Sequence, residues 1–320
     1  MLPKHPKYRI FYDLNFFKNL NSFEELEIAI SKLQSKDHQT NNQWRGNALE
    51  VFAESLLSTH QSYNIKEVFP DINKAPIDLI NKLNMSHYDV GSDGLYITKN
   101  NKIGSYQVKY RKKNKLSWSE LSNFIGVSER ADERRLITNV INVSDEFLSK
   151  DRVFITNKSN LQNLTNISFQ KIHRWLGQTR TPIIRHSKDN YQKKALENIT
   201  KELKFKDRAT TIMACGTGKT LVGLWTFEKL KPEISVVFVP SIGLIKQIRA
   251  DWLEQLKFNV KTISVCSSKD RSSREDEIQL DQKDLDFEIT TNLKKIKKFT
   301  YKKSKDPKII FCTYQSSLLL

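Results

Sequence analysis

The chain has 320 residues, long enough for two domains, and its 38% hydrophobic and 28% charged residues are ordinary for a protein that folds in water. Its 53 Lys+Arg against 36 Asp+Glu leave a formal charge of +17, a surplus that favours polyanions such as nucleic acid. Three cysteines (Cys215, Cys266, Cys312) without metal-ligand spacing exclude a disulfide framework, and no apolar run reaches the length of a membrane span or of a signal-peptide core, so a cytoplasmic chain with reduced thiols is expected.

In chain order, Ser22-Phe23-Glu24-Glu25 has the form of a capping box and opens a helix through Leu26, Ile30 and Leu33. After a polar break at 35–42, Ala48, Leu49, Phe52, Leu56 and Leu57 recur at helical spacing, with Glu50 on the flank of that helix. Taken alone, Glu50 is a solvated helix residue. The segment from His87 onward changes its meaning. His87-Tyr88-Asp89-Val90-Gly91-Ser92-Asp93-Gly94 leads into a strand at 95–98, a polar turn occupies 99–102, and a second strand runs over 104–110. With a period of two, Gln107 and Lys109 project to one face, and Tyr106, Val108 and Tyr110 to the other. An acid at Asp93 beside a carbonyl oxygen and an amine is a workable phosphodiester hydrolysis site. Asp93, with Glu50 and the Gln107 carbonyl, would hold Mg²⁺, and Lys109 would orient a water or screen developing charge.

The arrangement carries a geometric condition. A two-residue turn centred on Asn100-Asn101 pairs Asp93 with Val108 and turns the acid to the wrong face. A hydrolysis site therefore requires a three-residue loop or a bulge, with Asn100 or Asn101 left-handed.

These residues resemble the restriction-endonuclease-like superfamily with the PD-(D/E)-x-K site, in its Mrr-like branch, where Gln-x-Lys replaces Glu-x-Lys as Gln107-Val108-Lys109 does here. The resemblance carries the metal-binding Asp onto Asp93, with Asp89 as second candidate, and makes Glu50 the additional helix glutamate. The basic run Lys109-Tyr110-Arg111-Lys112-Lys113-Asn114-Lys115 is then where a phosphate backbone would lie, or else a solvated edge. A helix at 118–127 and strands at 136–140 and 153–156 complete an αβββαβ core with one extra strand.

Residues 158–190 are polar and Asn-rich and read as a linker, with the boundary near 180. Then Thr210-Thr211-Ile212-Met213-Ala214-Cys215-Gly216-Thr217-Gly218-Lys219-Thr220 joins an apolar strand-like lead to two glycines, a lysine and a threonine, with a helical pattern behind. This is the order a phosphate-binding loop needs. Gly216, Thr217 and Gly218 would cradle phosphates through backbone N–H groups, Lys219 would reach the β- and γ-phosphates of ATP, and Thr220 would ligate Mg²⁺. Met213 departs from the Gly or Ala common at that position. An unalternated apolar run at 236–239 marks a parallel strand covered on both faces. A helix at 242–256 and strands at 262–265 and 308–313 come next, and 267–306 reads as a charged insertion, part of it helical.

Tyr191-Gln192, about twenty residues before the loop, resembles the aromatic-Gln pair with which superfamily-two translocases read adenine, although Asp189 stands where an Arg is usual. The phosphate loop, Val239-Pro240-Ser241-Ile242, Val265-Cys266-Ser267-Ser268 and Thr313-Tyr314-Gln315-Ser316 look like the successive landmarks of type ISP restriction enzymes and related helicases. The expected fold class is α/β: a restriction-endonuclease-like domain followed by an incomplete RecA-like parallel-sheet P-loop domain. The expected division is an N-terminal helical segment (1–40), an Mrr-like domain (41–157), a linker (158–186) and a first RecA-like domain (187–320) that stops before the Asp-Glu box. The resemblance implies a Mg²⁺-dependent endonuclease coupled to an ATP-dependent translocase on double-stranded DNA, for restriction or phage defence. The missing motor, methyltransferase or recognition parts would lie in the same or a neighbouring polypeptide. Two other readings stand beside it: a translocase whose first domain binds DNA without cutting, and an inactive DNA-binding fragment.

Overall fold

The computed structural model describes residues 3–34, 40–85, 91–180, 182–267, 285 and 287–320, so Asp89 and most of the charged insertion lie outside the described residues. The chain divides into two compact units, residues 1–183 with 283–287, and residues 184–282 with 288–320.

The first unit begins with helices α1 (Tyr8–Asp13), α2 (Phe23–Ser31) and α3 (Asn41–Thr59). Strand β1 (Ile65–Phe69), helix α4 (Ile77–Leu83), and strands β2 (Gly94–Thr98), β3 (Ile103–Lys109) and β4 (Lys115–Leu116) follow. Helix α5 (Ser122–Val127), strands β5 (Glu133–Thr138) and β6 (Asn142–Val143), helix α6 (Asp145–Leu148), strand β7 (Val153–Thr156) and helices α7 (Lys158–Gln162) and α8 (Asn166–Trp175) complete it. The main sheet has the order β1-β2-β3-β5-β7, antiparallel through β3 and parallel from β3 to β7. Helix α3 is capped at Thr40, whose hydroxyl accepts from the Gln43 N–H while the Gln43 side chain accepts from the Thr40 N–H.

Two expectations about the edges of this unit differ from the structure. The N-terminal helices are not a separate segment: Phe11, Phe17, Phe23, Leu26 and Ile30 lie in one core with Trp44, Ala48 and Phe52 of α3. The stretch expected to be a linker carries α7 and α8, and Phe169 and Ile172 of α8 join the same core. Polar residues at its edge and within it cap these helices. Asn157 accepts from the Asn160 N–H and Thr165 from the Ile167 N–H, so polarity there marks helix starts and not an unstructured chain.

The second unit contains α9 (Asn190–Glu202), α10 (Lys219–Leu230), β8 (Ile234–Val239), α11 (Ile242–Gln255), β9 (Lys261–Val265), β10 (Ile289–Thr290), α12 (Leu293–Tyr301) and β11 (Lys308–Thr313). Its sheet is wholly parallel, in the order β10-β9-β11-β8. Strands joined in parallel through helices are what the apolar runs require. Trp252 of α11 fixes α10: its ring stacks on Phe227, its edge meets Phe311, and its indole N–H donates to the Thr220 carbonyl at 3.0 Å.

Here too the structure corrects the sequence. Residues 209–214, the apolar lead into the phosphate loop, form no strand, and Ile212 is 94% exposed. Strand β8, expected to be covered on both faces, is the last strand of the described sheet on its side, and Val236 and Phe238 are 40% and 43% exposed. Among the described residues no strand pairs with the outer side of β8, which is therefore an open edge.

Candidate functional site

The geometric condition set by the sequence is met at the β2–β3 hairpin. Thr98 and Lys102 close a three-residue loop through Thr98 N–H to Lys102 O at 3.0 Å, and Asn101 takes the left-handed conformation at φ 63°. The pairing Gly94–Tyr106, Leu95–Ser105, Tyr96–Gly104 extrapolates to Asp93 opposite Gln107, on the face that also carries Lys109. Pairing between β2 and β3 ends at Gly94–Tyr106, whereas Gln107, Val108 and Lys109 stay paired with β5. The two strands therefore fork where the acid sits. Asp93 Oδ2 bridges the fork by accepting the Val108 N–H at 2.6 Å, and the Asp93 N–H donates to Tyr106 O. Gly94 is required by close approach, because a Cβ there would lie 2.7 Å from the Tyr106 ring and closer still to the Phe69 carbonyl.

Gln107 is 3% exposed. Its Nε2 donates to the Gly91 carbonyl at 2.6 Å, and its Oε1 is buried with no hydrogen-bond partner among the described residues. A buried carbonyl left without a donor is a position a hard cation can satisfy. The Asp93 and Glu50 carboxylates and Gln107 Oε1 are oxygens of the type Mg²⁺ prefers, although no group of three or more His, Cys, Asp or Glu placed to hold a metal ion occurs among the described residues. Burial pushes the Asp93 carboxyl up from 3.8 to about 7, and the negative charge of Glu50 adds to the rise. The Val108 N–H, Lys109 and His5 pull in the other direction. Lys109 is half-buried and makes no ion pair among the described residues. Its neighbour Arg111 belongs to the fold, donating to Glu120 at 2.7 Å, so the basic run is only partly available to a ligand.

Sequence reasoning missed the N-terminal strap. The main-chain N–H groups of Lys4 and His5 both donate to the buried Glu54 carboxylate, at 2.7 and 3.0 Å, one helical turn after Glu50. The His5 ring, buried beside α3, lies 3.0 Å from Glu50 Oε2 through Nε2. The Lys7 N–H donates to His5 Nδ1, which places the ring proton on Nε2 and makes His5 the donor to Glu50. A separation of 45 residues and a histidine flanked by lysine and proline gave no periodic signal from which this contact could be read.

In the second unit Gly216 and Gly218 adopt φ 76° and 78°, and α10 starts at Lys219, so the loop has the left-handed turns and helix N-terminus that a phosphate site uses. The Lys219 ammonium is folded back onto its own loop, donating to the Met213 and Ala214 carbonyls at 3.2 and 2.9 Å. Thr217 also bonds the Ala214 carbonyl. Gln192 touches this loop directly. Its Nε2 donates to the Thr217 carbonyl at 3.0 Å, its Oε1 accepts from the Asp189 N–H, and a Cβ at Gly218 would lie 2.6 Å from that Nε2. Asp189, where an Arg is usual, is the N-cap of α9 in a reciprocal box with Gln192. In this structure both ends of the Gln192 amide are therefore engaged with the chain, which positions the loop. A groove of about 440 Å³ lies beside it, lined among others by Tyr191, Lys194, Asn198, Thr211, Met213 and Thr217.

Residues 185–318 match the family model described as type III restriction enzyme, res subunit. Among solved structures, the chain is similar to the ATP-dependent type ISP restriction-modification enzyme LlaBIII bound to DNA, with a TM-score of 0.64 and 22% identity over 83% of this chain and 18% of that one. A nuclease-deletion mutant of the type ISP enzyme LlaGI in complex with a DNA substrate mimic is 30% identical over 41% of this chain and 13% of that one, with a TM-score of 0.33. No curated protein matches. The chain thus spans less than a fifth of the length of either solved enzyme. No helix among the described residues is long and apolar enough to cross a membrane. The molecule is an α/β protein whose second unit matches the type III restriction res-subunit model and carries a glycine turn, at Gly216 and Gly218, that leads into a helix.

Proposed function

We propose that the chain joins a Mg²⁺-dependent DNA endonuclease site in the first unit to the nucleotide-binding part of an ATP-driven DNA translocase in the second, within a restriction system. The observation that carries the nuclease half is the one-residue shift made by the 99–101 loop. It puts Asp93 opposite Gln107, on the Lys109 face, at the point where β2 and β3 part. Asp93, Glu50 and Gln107 Oε1 would hold the cation, which would polarise the scissile phosphate and acidify a water. Lys109 orients that water or meets the charge developing on phosphate. The His5 Nε2–H holds one oxygen of Glu50 and leaves the other for the site.

For the motor half, the loop conformation and the res-subunit match support binding of ATP by Gly216, Thr217, Gly218 and Lys219, with Thr220 on the accompanying Mg²⁺. Lys219 exchanges its two loop carbonyls for phosphate oxygens on binding. The likeness to an ATP-dependent, DNA-bound restriction enzyme over 83% of the chain reaches beyond the second unit and favours DNA as the shared substrate. The test is Mg²⁺-dependent cleavage of supercoiled plasmid by the parent chain, Asp93→Asn and Lys219→Ala, with and without ATP. Cutting by the parent and by Lys219→Ala, with silence from Asp93→Asn, is expected. Undiminished cutting by Asp93→Asn sinks the site assignment.

A further inference from the structure

Helix α12 breaks the usual rules for an exposed helix. Between Asn292 and Lys308 the chain carries eight lysines and one acid, Asp306. Lys294, Lys295, Lys297, Lys298, Lys302, Lys303 and Lys305 are all exposed. Lys295 pairs with Glu288, and none of the other six has an ion-pair partner among the described residues. Lys294, Lys297 and Lys298 fall at i, i+3 and i+4 and repel one another. Lys294 and Lys295 also sit in the first turn, which holds no acid, where cations oppose the helix dipole. What holds the helix is elsewhere. The Asn292 side chain accepts from the Lys294 and Lys295 N–H groups, and Ile296 packs into the sheet core with Phe299 beside it. The buried Lys308 ammonium donates to the Thr300 carbonyl near the helix end.

The lysine face is therefore presented by a fixed element, opposite a packed apolar stripe, and no acid among the described residues pairs with Lys294, Lys297 or Lys298. Such an uncompensated violation of local preference is what a binding surface looks like. Tyr301, 80% exposed, prolongs the same face one turn beyond Lys297 and Lys298. From Lys294 to Lys302 the row spans about 12 Å along the axis, comparable with a few successive phosphates of a duplex. We propose that the exposed face of α12 is a docking surface for the phosphate backbone of double-stranded DNA, read without regard to sequence. The inference rests on the proposed function only for the identity of the polyanion.

The experiment titrates a fluorescent duplex of mixed sequence with the full chain from about 50 to 200 mM KCl. It compares the parent, K294Q/K297Q/K298Q, and a charge-matched control, K201Q/K204Q/K229Q. Each phosphate that is no longer neutralised should make the log–log salt slope shallower by about 0.9, which at 0.1 M is about an eightfold loss of affinity. The α12 triple should leave two to three phosphates unneutralised and the control fewer than one, about 0.9 in slope being the dividing value. Removing the repulsion should leave the triple at least as stable to heat as the parent, with nucleotide binding retained, so that weaker DNA binding is not unfolding. A triple that binds like the parent, or a control whose affinity falls as far as that of the triple, overturns the surface and leaves the wider DNA reading standing. A parent that sediments with anionic vesicles and does not bind the duplex overturns both.

Discussion

Replacing Asp93 with Asn keeps an acceptor for the Val108 N–H and removes the charge, so it separates what the carboxylate costs from what it does. In the folded chain burial and Glu50 hold this carboxyl at about 7, against 3.8 when unfolded. The folded state therefore keeps a proton that the unfolded state has released, and stability falls as pH rises through that window. A rise from 3.8 to about 7 corresponds to about 4 kcal/mol at most. Loss of a charge-assisted hydrogen bond to Val108 returns about 1 kcal/mol of it. Asp93→Asn should then be more stable than the parent by about 2–3 kcal/mol above pH 7 in EDTA, with the difference vanishing near pH 4. Hydrogen exchange of the β2–β3 amides, corrected for intrinsic rate at each pH, reports this unit separately from the other. At pH 8, Mg²⁺ at a hundred times its dissociation constant should protect the parent by about 2.7 kcal/mol and leave the variant unmoved. A variant less stable than the parent at pH 8, or equal protection of both by Mg²⁺, would refute the reasoning.

The same geometry fixes other outcomes. Lys219→Ala should weaken ATP binding by about ten- to a hundredfold, the worth of a charge-assisted contact, measured by fluorescent-nucleotide titration. Gly218→Ala imposes a side chain at φ 78° and presses on Gln192, so the second unit should lose about 1–2 kcal/mol in thermal unfolding, together with nucleotide affinity. Phe169→Ala should cost the first unit about 3–5 kcal/mol in the same measurement, whereas a linker position would cost almost nothing. His5→Gln, which can still donate to Glu50, should retain most of the plasmid cleavage that His5→Ala loses, and His5→Ala should need more Mg²⁺ for half-maximal rate. Equal activity and Mg²⁺ dependence in the two variants would show that the strap only holds the fold.

How much of this was legible in the sequence depends on how far each signal reaches along the chain. The glycine turn into α10 was readable because its glycines, lysine and threonine are adjacent, and φ is 76° and 78° where the glycines stand. The parallel strand 308–313 was readable because the apolar run Ile309-Ile310-Phe311-Cys312 is buried throughout, whereas the equally apolar run of β8 is part-exposed. The linker misreading came from composition used without mechanism. Asn157 and Thr165 are polar because helix ends need acceptors, and the apolar stripe of α8 behind them was the better guide. The lead into the loop, 209–214, failed differently. Its residues suit a strand, but a strand is completed by its neighbours, and none among the described strands pairs with them.

Alternation placed Gln107 and Lys109 on one face, but the face of Asp93 hinged on whether two or three residues turn the hairpin. That choice lies outside the site. Two residues would have paired Asp93 with Val108; three pair it with Gln107, and the difference is a single left-handed residue, Asn101. Asparagine tolerates that conformation better than most non-glycine residues. The sequence could therefore state the condition without deciding it, since Asn100 and Asn101 are equally suited. His5 was beyond even a conditional statement. Its ring meets Glu50 because the strap is tied to Glu54 one turn further along α3, and that tie uses backbone N–H groups that every residue type except proline has. A contact made through the main chain leaves no trace in residue identity. What the sequence could show at this helix was two glutamates four apart, Glu50 half-buried beside the fork and Glu54 buried beneath the strap. Only the folded chain shows the strap bonded to Glu54 through its backbone and to Glu50 through the His5 ring.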